Sequence, residues 1–120
     1  MESDGSEKRK SSRTPFPCRI TVSSPVRMIS SHTEDIGPGG LRVMLDERLS
    51  MYTTLGLEIF LEQDKPIKCK GKVVWVRENM NPIERQPTIY ETGIKFVEMN
   101  DCDQEYINIL VDFINSKKKE

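Results

Sequence analysis

The stretch Thr33-Glu34-Asp35-Ile36-Gly37-Pro38-Gly39-Gly40-Leu41-Arg42-Val43 constrains this chain more than any other. Three glycines and a proline fill four consecutive positions, a backbone that a generic surface turn rarely needs. Pro38 fixes its own φ and steers Gly37 away from helix, while glycine enters φ > 0 without steric cost. An acidic side chain stands just before the turn and an apolar-alternating strand begins just after it. Asp35 and several bare backbone N–H groups are thereby presented at the mouth of a β structure, where a ligand can approach the backbone. A tight hairpin with nothing bound fits the same glycines.

On both sides of the turn the hydrophobic period is two. Cys18, Ile20 and Val22 alternate with Arg19 and Thr21 up to Ser23-Ser24-Pro25, and Val26, Met28 and Ser30 lead on toward the turn. Leu41, Val43 and Leu45 follow it. Leu55, Leu57, Ile59 and Leu61 then alternate with Gly56, Glu58, Phe60 and Glu62, and Gln63-Asp64-Lys65-Pro66 makes a hairpin connection. In the next segment Ile67, Cys69, Gly71, Val73 and Trp75 oppose Lys68, Lys70, Lys72, Val74 and Val76, with Gly71 marking a bend or bulge. A polar loop from Glu78 to Pro87 precedes a last strand, Ile89 to Val97, which Gly93 relieves of curvature.

The period then changes. Asp101 and Gln104 have capping-box spacing, and Tyr106, Ile109, Leu110, Phe113 and Ile114 fall on one helical face. Lys117, Lys118 and Lys119 sit where the negative end of a helix favours cations. Six strands, one terminal helix and no βαβ alternation define a mainly β fold, a small six-stranded antiparallel barrel with a C-terminal α-helix across one opening.

Residues 1–14 stand apart. They are polar, and four of the six residues from 8 to 13 are basic, so a short cationic arm precedes a mildly acidic body. The arm cannot bury enough surface to offset its ordering entropy. Residues 15–116 form the barrel and helix, and 117–120 a charged tail. No apolar run reaches the ~20 residues of a membrane span, and the N-terminus lacks the apolar core of a signal peptide, so a cytoplasmic location is expected. Cys18, Cys69 and Cys102 are widely separated, odd in number and without a CxxC pair, which fits reduced thiols better than a zinc site or a disulfide framework. A net charge of −1 and few outward aromatics argue against binding a nucleic-acid polymer. No nucleophile–base set, paired catalytic carboxylates or metal-ligand cluster stands at useful spacing, so no enzyme is expected. His32, the one histidine, reads as a surface residue, and Trp75 as core or rim packing.

These residues resemble the PilZ domain family, small split β-barrels that act as receptors for the bacterial second messenger cyclic di-GMP. The family's RxxxR motif is matched by Arg9-Lys10-Ser11-Ser12-Arg13, and its [D/N]xSxxG motif in part by Asp35-Ile36-Gly37-Pro38-Gly39-Gly40. Gly40-Leu41-Arg42-Val43, Gly71-Lys72-Val73-Val74-Trp75 and Gly93-Ile94-Lys95-Phe96 extend the likeness over most of residues 9–115. The resemblance implies guanine and phosphate contacts for Arg9 and Arg13, a guanine contact for Asp35, and close backbone approach at Gly37 and Gly40. Lys8, Lys10 and Arg42 are weaker candidates. An arginine fork suits the guanine edge or a phosphate, and a carboxylate accepts the guanine N–H groups that arginine cannot address. Gly37 stands where the family has serine, which removes one hydrogen bond. The function implied is a single-domain adaptor whose arm orders over the dinucleotide and remodels a surface for a downstream protein. The alternative is a degenerate PilZ-type protein-interaction module that binds the nucleotide weakly or not at all.

Overall fold

The computed structural model describes residues 14–62, 64–81, 83 and 86–118. Its strands are β1 (Thr14–Pro15), β2 (Arg19–Ser23), β3 (Met28–Gly37), β4 (Gly40–Leu45), β5 (Thr54–Glu62), β6 (Lys65–Asn81) and β7 (Gln86–Glu98), followed by the helix α1 (Asp101–Lys118). All pairings are antiparallel, in the order β3-β2-β5-β6-β7-β4, and β3 pairs again with β4, so the six strands close into a barrel. The short β1 joins β3 outside that ring. The inward positions of the period-two segments, among them Ile20, Val22, Leu41, Val43, Leu55, Leu57, Ile59, Val73 and Ile94, are fully or almost fully buried and form one core. Alternation works here because a strand with one wet face must place its apolar side chains on the other.

Closure is tightest at the glycine turn. Gly37 and Gly40 are cross-strand partners around Pro38-Gly39, and no described glycine lies at positive φ. The expected left-handed backbone is therefore not what the glycines provide. At Gly40 a Cβ would stand on the backbone carbonyl of Ile94 in β7, whereas one at Gly39 would meet nothing within 4 Å. Gly40 is required by the approach of two strands, and Gly39 is not required by contact.

Two irregularities re-aim side chains. The β6–β7 register shifts between Val73 and Trp75, so Val73 pairs with Ile94 in the core while Trp75 pairs with Gly93 on the outer face. Strict alternation had placed Trp75 with Val73, but the bulge turns its indole outward across Gly93, where a Cβ would overlap the ring. Gly71 remains an inward gap, filled by Ile94 and Leu57.

The helix begins one residue earlier in its capping than expected. Asn100 is the cap: its Oδ1 accepts from the Asp103 N–H at 2.8 Å and its Nδ2 donates to the Asp103 carboxylate at 3.0 Å. The face turned to the barrel carries Ile107 and Val111, both fully buried, while Ile109 and Phe113 are 59% and 58% exposed. The expected apolar face is thus rotated: the helix lies against β1 and β3, and Ile107 and Val111 are the side chains that join the core. Gln104 Nε2 donates to the Pro38 carbonyl at 2.8 Å, and Tyr106 donates to Glu62 at 3.0 Å, so the helix is tied to the glycine turn and to the end of β5.

Gly40→Ala is expected to destabilise the barrel by about 1–3 kcal/mol, as an overpacked site does, and Gly39→Ala to be neutral or to stabilise by up to about 1 kcal/mol. Urea unfolding of the two variants measures the contrast, and equal effects would contradict the closure argument.

Candidate ligand face of the barrel

The residues around the glycine turn form rows across the outer face. Pro15, Asp35, Arg42, Gly93 and Trp75 are successive cross-strand partners on β1, β3, β4, β7 and β6. A second row runs Gly37, Gly40, Lys95 and Lys72. In this way the turn with its flanking carboxylate and arginine, all from one stretch of sequence, shares a surface with an indole from β6, Pro15 from β1 and Gly93 from β7.

The segment leading into this face is pinned by Thr33, which is fully buried. Its hydroxyl donates to the Phe16 carbonyl at 2.7 Å and accepts from the Cys18 N–H at 3.0 Å. The Phe16 N–H donates to the Glu34 carbonyl at 3.2 Å, and the Thr33 N–H to that of Cys18 at 2.9 Å. Four hydrogen bonds therefore hold residues 16–18 against β3, and Pro15 beside Asp35.

Charge on the face is arranged as an alternating chain. Arg42 Nε donates to Asp35 Oδ2 at 2.9 Å, and Arg42 Nη1 donates to Glu91 Oε2. Arg77 donates to Glu91 Oε1 from Nε at 3.0 Å and from Nη2 at 2.6 Å. Glu91 is only 3% exposed, whereas the Arg77 side chain is 68% exposed. Burial alone would push the Glu91 carboxyl up. The hydrogen bonds from Arg77 and Arg42 outweigh it and hold the group below the ordinary glutamate value. Arg42 is held more firmly protonated, chiefly by Glu91.

Of the residues singled out in the sequence, Asp35, Gly37, Gly40 and Arg42 are brought together at the turn. Arg9 and Arg13, with Lys8 and Lys10, lie outside the described residues. Sequence reasoning missed Glu91, Arg77 and Thr33, whose roles depend on pairings between distant strands. Among the described residues no group of three histidines, cysteines or acids could hold a metal ion, and no helix is long and apolar enough to cross a membrane.

Fold and face together define a small closed β-barrel with an outward glycine-turn surface and a helical cap. The chain matches the PilZ domain over residues 7–115 and belongs to that family. Among curated proteins no relative matches it by sequence. Solved structures share the fold. The inhibitor of motility MotI/DgrA of Bacillus subtilis is 18% identical with a TM-score of 0.73, over 90% of this chain and 51% of that one. The PilZ domain of YcgR from Escherichia coli, solved with c-di-GMP, is 10% identical with a TM-score of 0.68, over 89% and 91%. The MrkH–c-di-GMP complex of K. pneumonia is 20% identical with a TM-score of 0.68, over 90% and 53%. The chain thus spans about half the length of MotI and MrkH.

A carboxylate whose value is depressed in the folded chain stabilises it at pH above the unfolded value, near 4.5, and loses that contribution as pH falls through the lower folded value. Glu91→Gln is expected to cost about 1–3 kcal/mol at neutral pH. The gap to the wild type should narrow once pH drops below 4.5. Denaturant unfolding across that range checks it, and a pH-independent gap would contradict the ion-pair chain.

Proposed function

We propose that this chain is a cytoplasmic receptor for cyclic di-GMP that acts as an adaptor. The observation that carries the reading is the pairing of Thr14–Pro15 with Ile36 and Asp35. Thr14, which follows Arg13, is thereby anchored opposite Ile36, and Pro15 opposite Asp35, at the entry to the glycine turn. A basic arm rooted there has its arginines within reach of anything cupped on the outer face. Cyclic di-GMP offers two guanines and two phosphodiester charges, which suit Arg9 and Arg13 as forks or stacking planes and Asp35 as acceptor for guanine N–H groups. Gly37 carries no side chain to hold a ligand off the backbone of the turn, while the space beside Gly40 is taken by the Ile94 carbonyl. The likeness to PilZ structures solved with c-di-GMP supports the same ligand.

In this mechanism the dinucleotide orders the arm against the barrel and changes the surface offered to a downstream protein, in motility or surface attachment. Isothermal titration with cyclic di-GMP should show saturable binding, absent with cyclic di-AMP, whose adenine carries an N6 donor where guanine has the O6 acceptor. Arg9→Ala combined with Arg13→Ala should abolish it. A wild type that gives no heat at high ligand concentration would overturn the receptor reading.

One observation favours a second reading, that of a protein-interaction module. Gly37 lacks the hydroxyl that the family motif places there. A missing hydrogen bond costs about 0.5–1.5 kcal/mol, up to roughly a tenfold loss of affinity. Gly37→Ser should therefore tighten cyclic di-GMP binding up to about tenfold. If it restores nothing to a chain that does not bind, the interaction module is the better reading.

A further inference from the structure

Two members of the chain of charges on the outer face, Glu91 and Arg77, make their hydrogen bonds away from the glycine turn and the root of the arm. We propose that Glu91 is a positioning residue: acting through Arg42, it fixes the Asp35 carboxylate in the orientation that reads the guanine edge. The inference rests on the receptor reading above.

A carboxylate on a strand beside a turn can rotate about two side-chain bonds, and its oxygens address a planar donor pair only when its plane is set. Asp35 is set by the guanidinium of Arg42, whose Nε meets Asp35 Oδ2 at 2.9 Å. A guanidinium held at one edge can still swing about that contact. Here the other edge is taken by Glu91 Oε2, on β7, so carboxylates on two different strands define the plane of Arg42. Glu91 is in turn immobilised, since its second oxygen receives both Arg77 donors at 3.0 and 2.6 Å. Exposure thus falls from Arg77 to a buried Glu91, and the orientation is passed through Arg42 to Asp35.

A buried glutamate is a poor choice for stability alone. Desolvation of the charge offsets much of its pairing, and an apolar side chain of similar volume is often no worse. What the ion pairs add is a defined orientation. Glu91 also lies on the face proposed to receive a ligand with two negative charges, where its own charge repels. A role through the field and a role through positioning therefore predict opposite signs. Removing the charge without the shape, as in Glu91→Gln, strengthens binding in the first case and weakens it in the second.

Base discrimination separates the cases further. A correctly set carboxylate accepts from guanine N1–H and from the N2 amine. Hypoxanthine keeps the first donor and lacks the second. The ratio of affinities for cyclic di-GMP and cyclic di-IMP therefore reports how Asp35 is aimed, which a general loss of stability would not change.

The experiment titrates both dinucleotides into wild type, Glu91→Gln and Arg77→Gln by calorimetry, with amide spectra confirming the fold. Wild type should prefer cyclic di-GMP. Glu91→Gln should bind it about tenfold more weakly, the worth of one well-made hydrogen bond, and its preference should fall toward unity. Arg77→Gln should lie between, because Arg42 still holds Glu91. If Glu91→Gln does not fold, a reduced ratio in Arg77→Gln supports the proposal and an unchanged ratio overturns it. Wild type that binds, with a variant that binds equally or more tightly at unchanged ratio, overturns the role of Glu91 and leaves the receptor standing. Wild type that binds neither dinucleotide overturns the receptor reading itself.

Discussion

The barrel closes because β4 fits between β3 and β7, and at its first residue the two backbones approach too closely for a side chain. Gly40 has its absent Cβ directed at the Ile94 carbonyl, and Gly37 faces it across the turn. Every outward pairing that matters follows from that fit. Arg42 comes opposite Asp35 on one side and Gly93 on the other, and Met44 opposite Glu91. A sheet left open at this seam would hold the same strands but not the same neighbours.

On the closed surface, electrostatics and packing reinforce each other. The β6 bulge sends Trp75 outward onto Gly93, in the same row as Arg42 and Asp35. Glu91, almost without solvent contact, joins Arg42 from β4 to Arg77 from β6. The charges alternate in sign, so each buried carboxylate has a guanidinium partner and the desolvation of one is offset by the other. The helix completes the seam from outside the sheet, since Gln104 binds the Pro38 carbonyl while Ile107 and Val111 seal the opening.

How much of this was legible in the sequence depends on the range of the interaction. Period-two alternation is local, and it identified the inward faces carrying Ile20, Val22, Leu41, Val43, Leu55, Leu57 and Ile59. The prominence of Asp35 and the glycine turn was legible for the same reason. Alternation failed at Trp75, because one extra residue in a bulge inverts the parity of all that follows. The helix was legible as a helix, but its buried side was not, because the longer apolar stripe through Tyr106, Ile109 and Phe113 faces out while Ile107 and Val111 meet the barrel. At Gly40 the reason differs from conformational freedom: no described glycine lies at positive φ, and the close approach of β4 to β7 is what leaves no room for a side chain. The Asp35–Arg42–Glu91–Arg77 chain was out of reach altogether, since Arg42 and Glu91 are joined only by the register of two strands far apart in sequence.

The account turns on whether the arm and the glycine turn act on one ligand. An amide-shift titration with cyclic di-GMP addresses that most directly. The expected result is saturable, concerted shifts of Arg9 to Arg13 together with Asp35, Gly40 and Arg42, all following one binding curve. Shifts confined to the helix or the far strands, or none at the turn under saturating ligand, would contradict it.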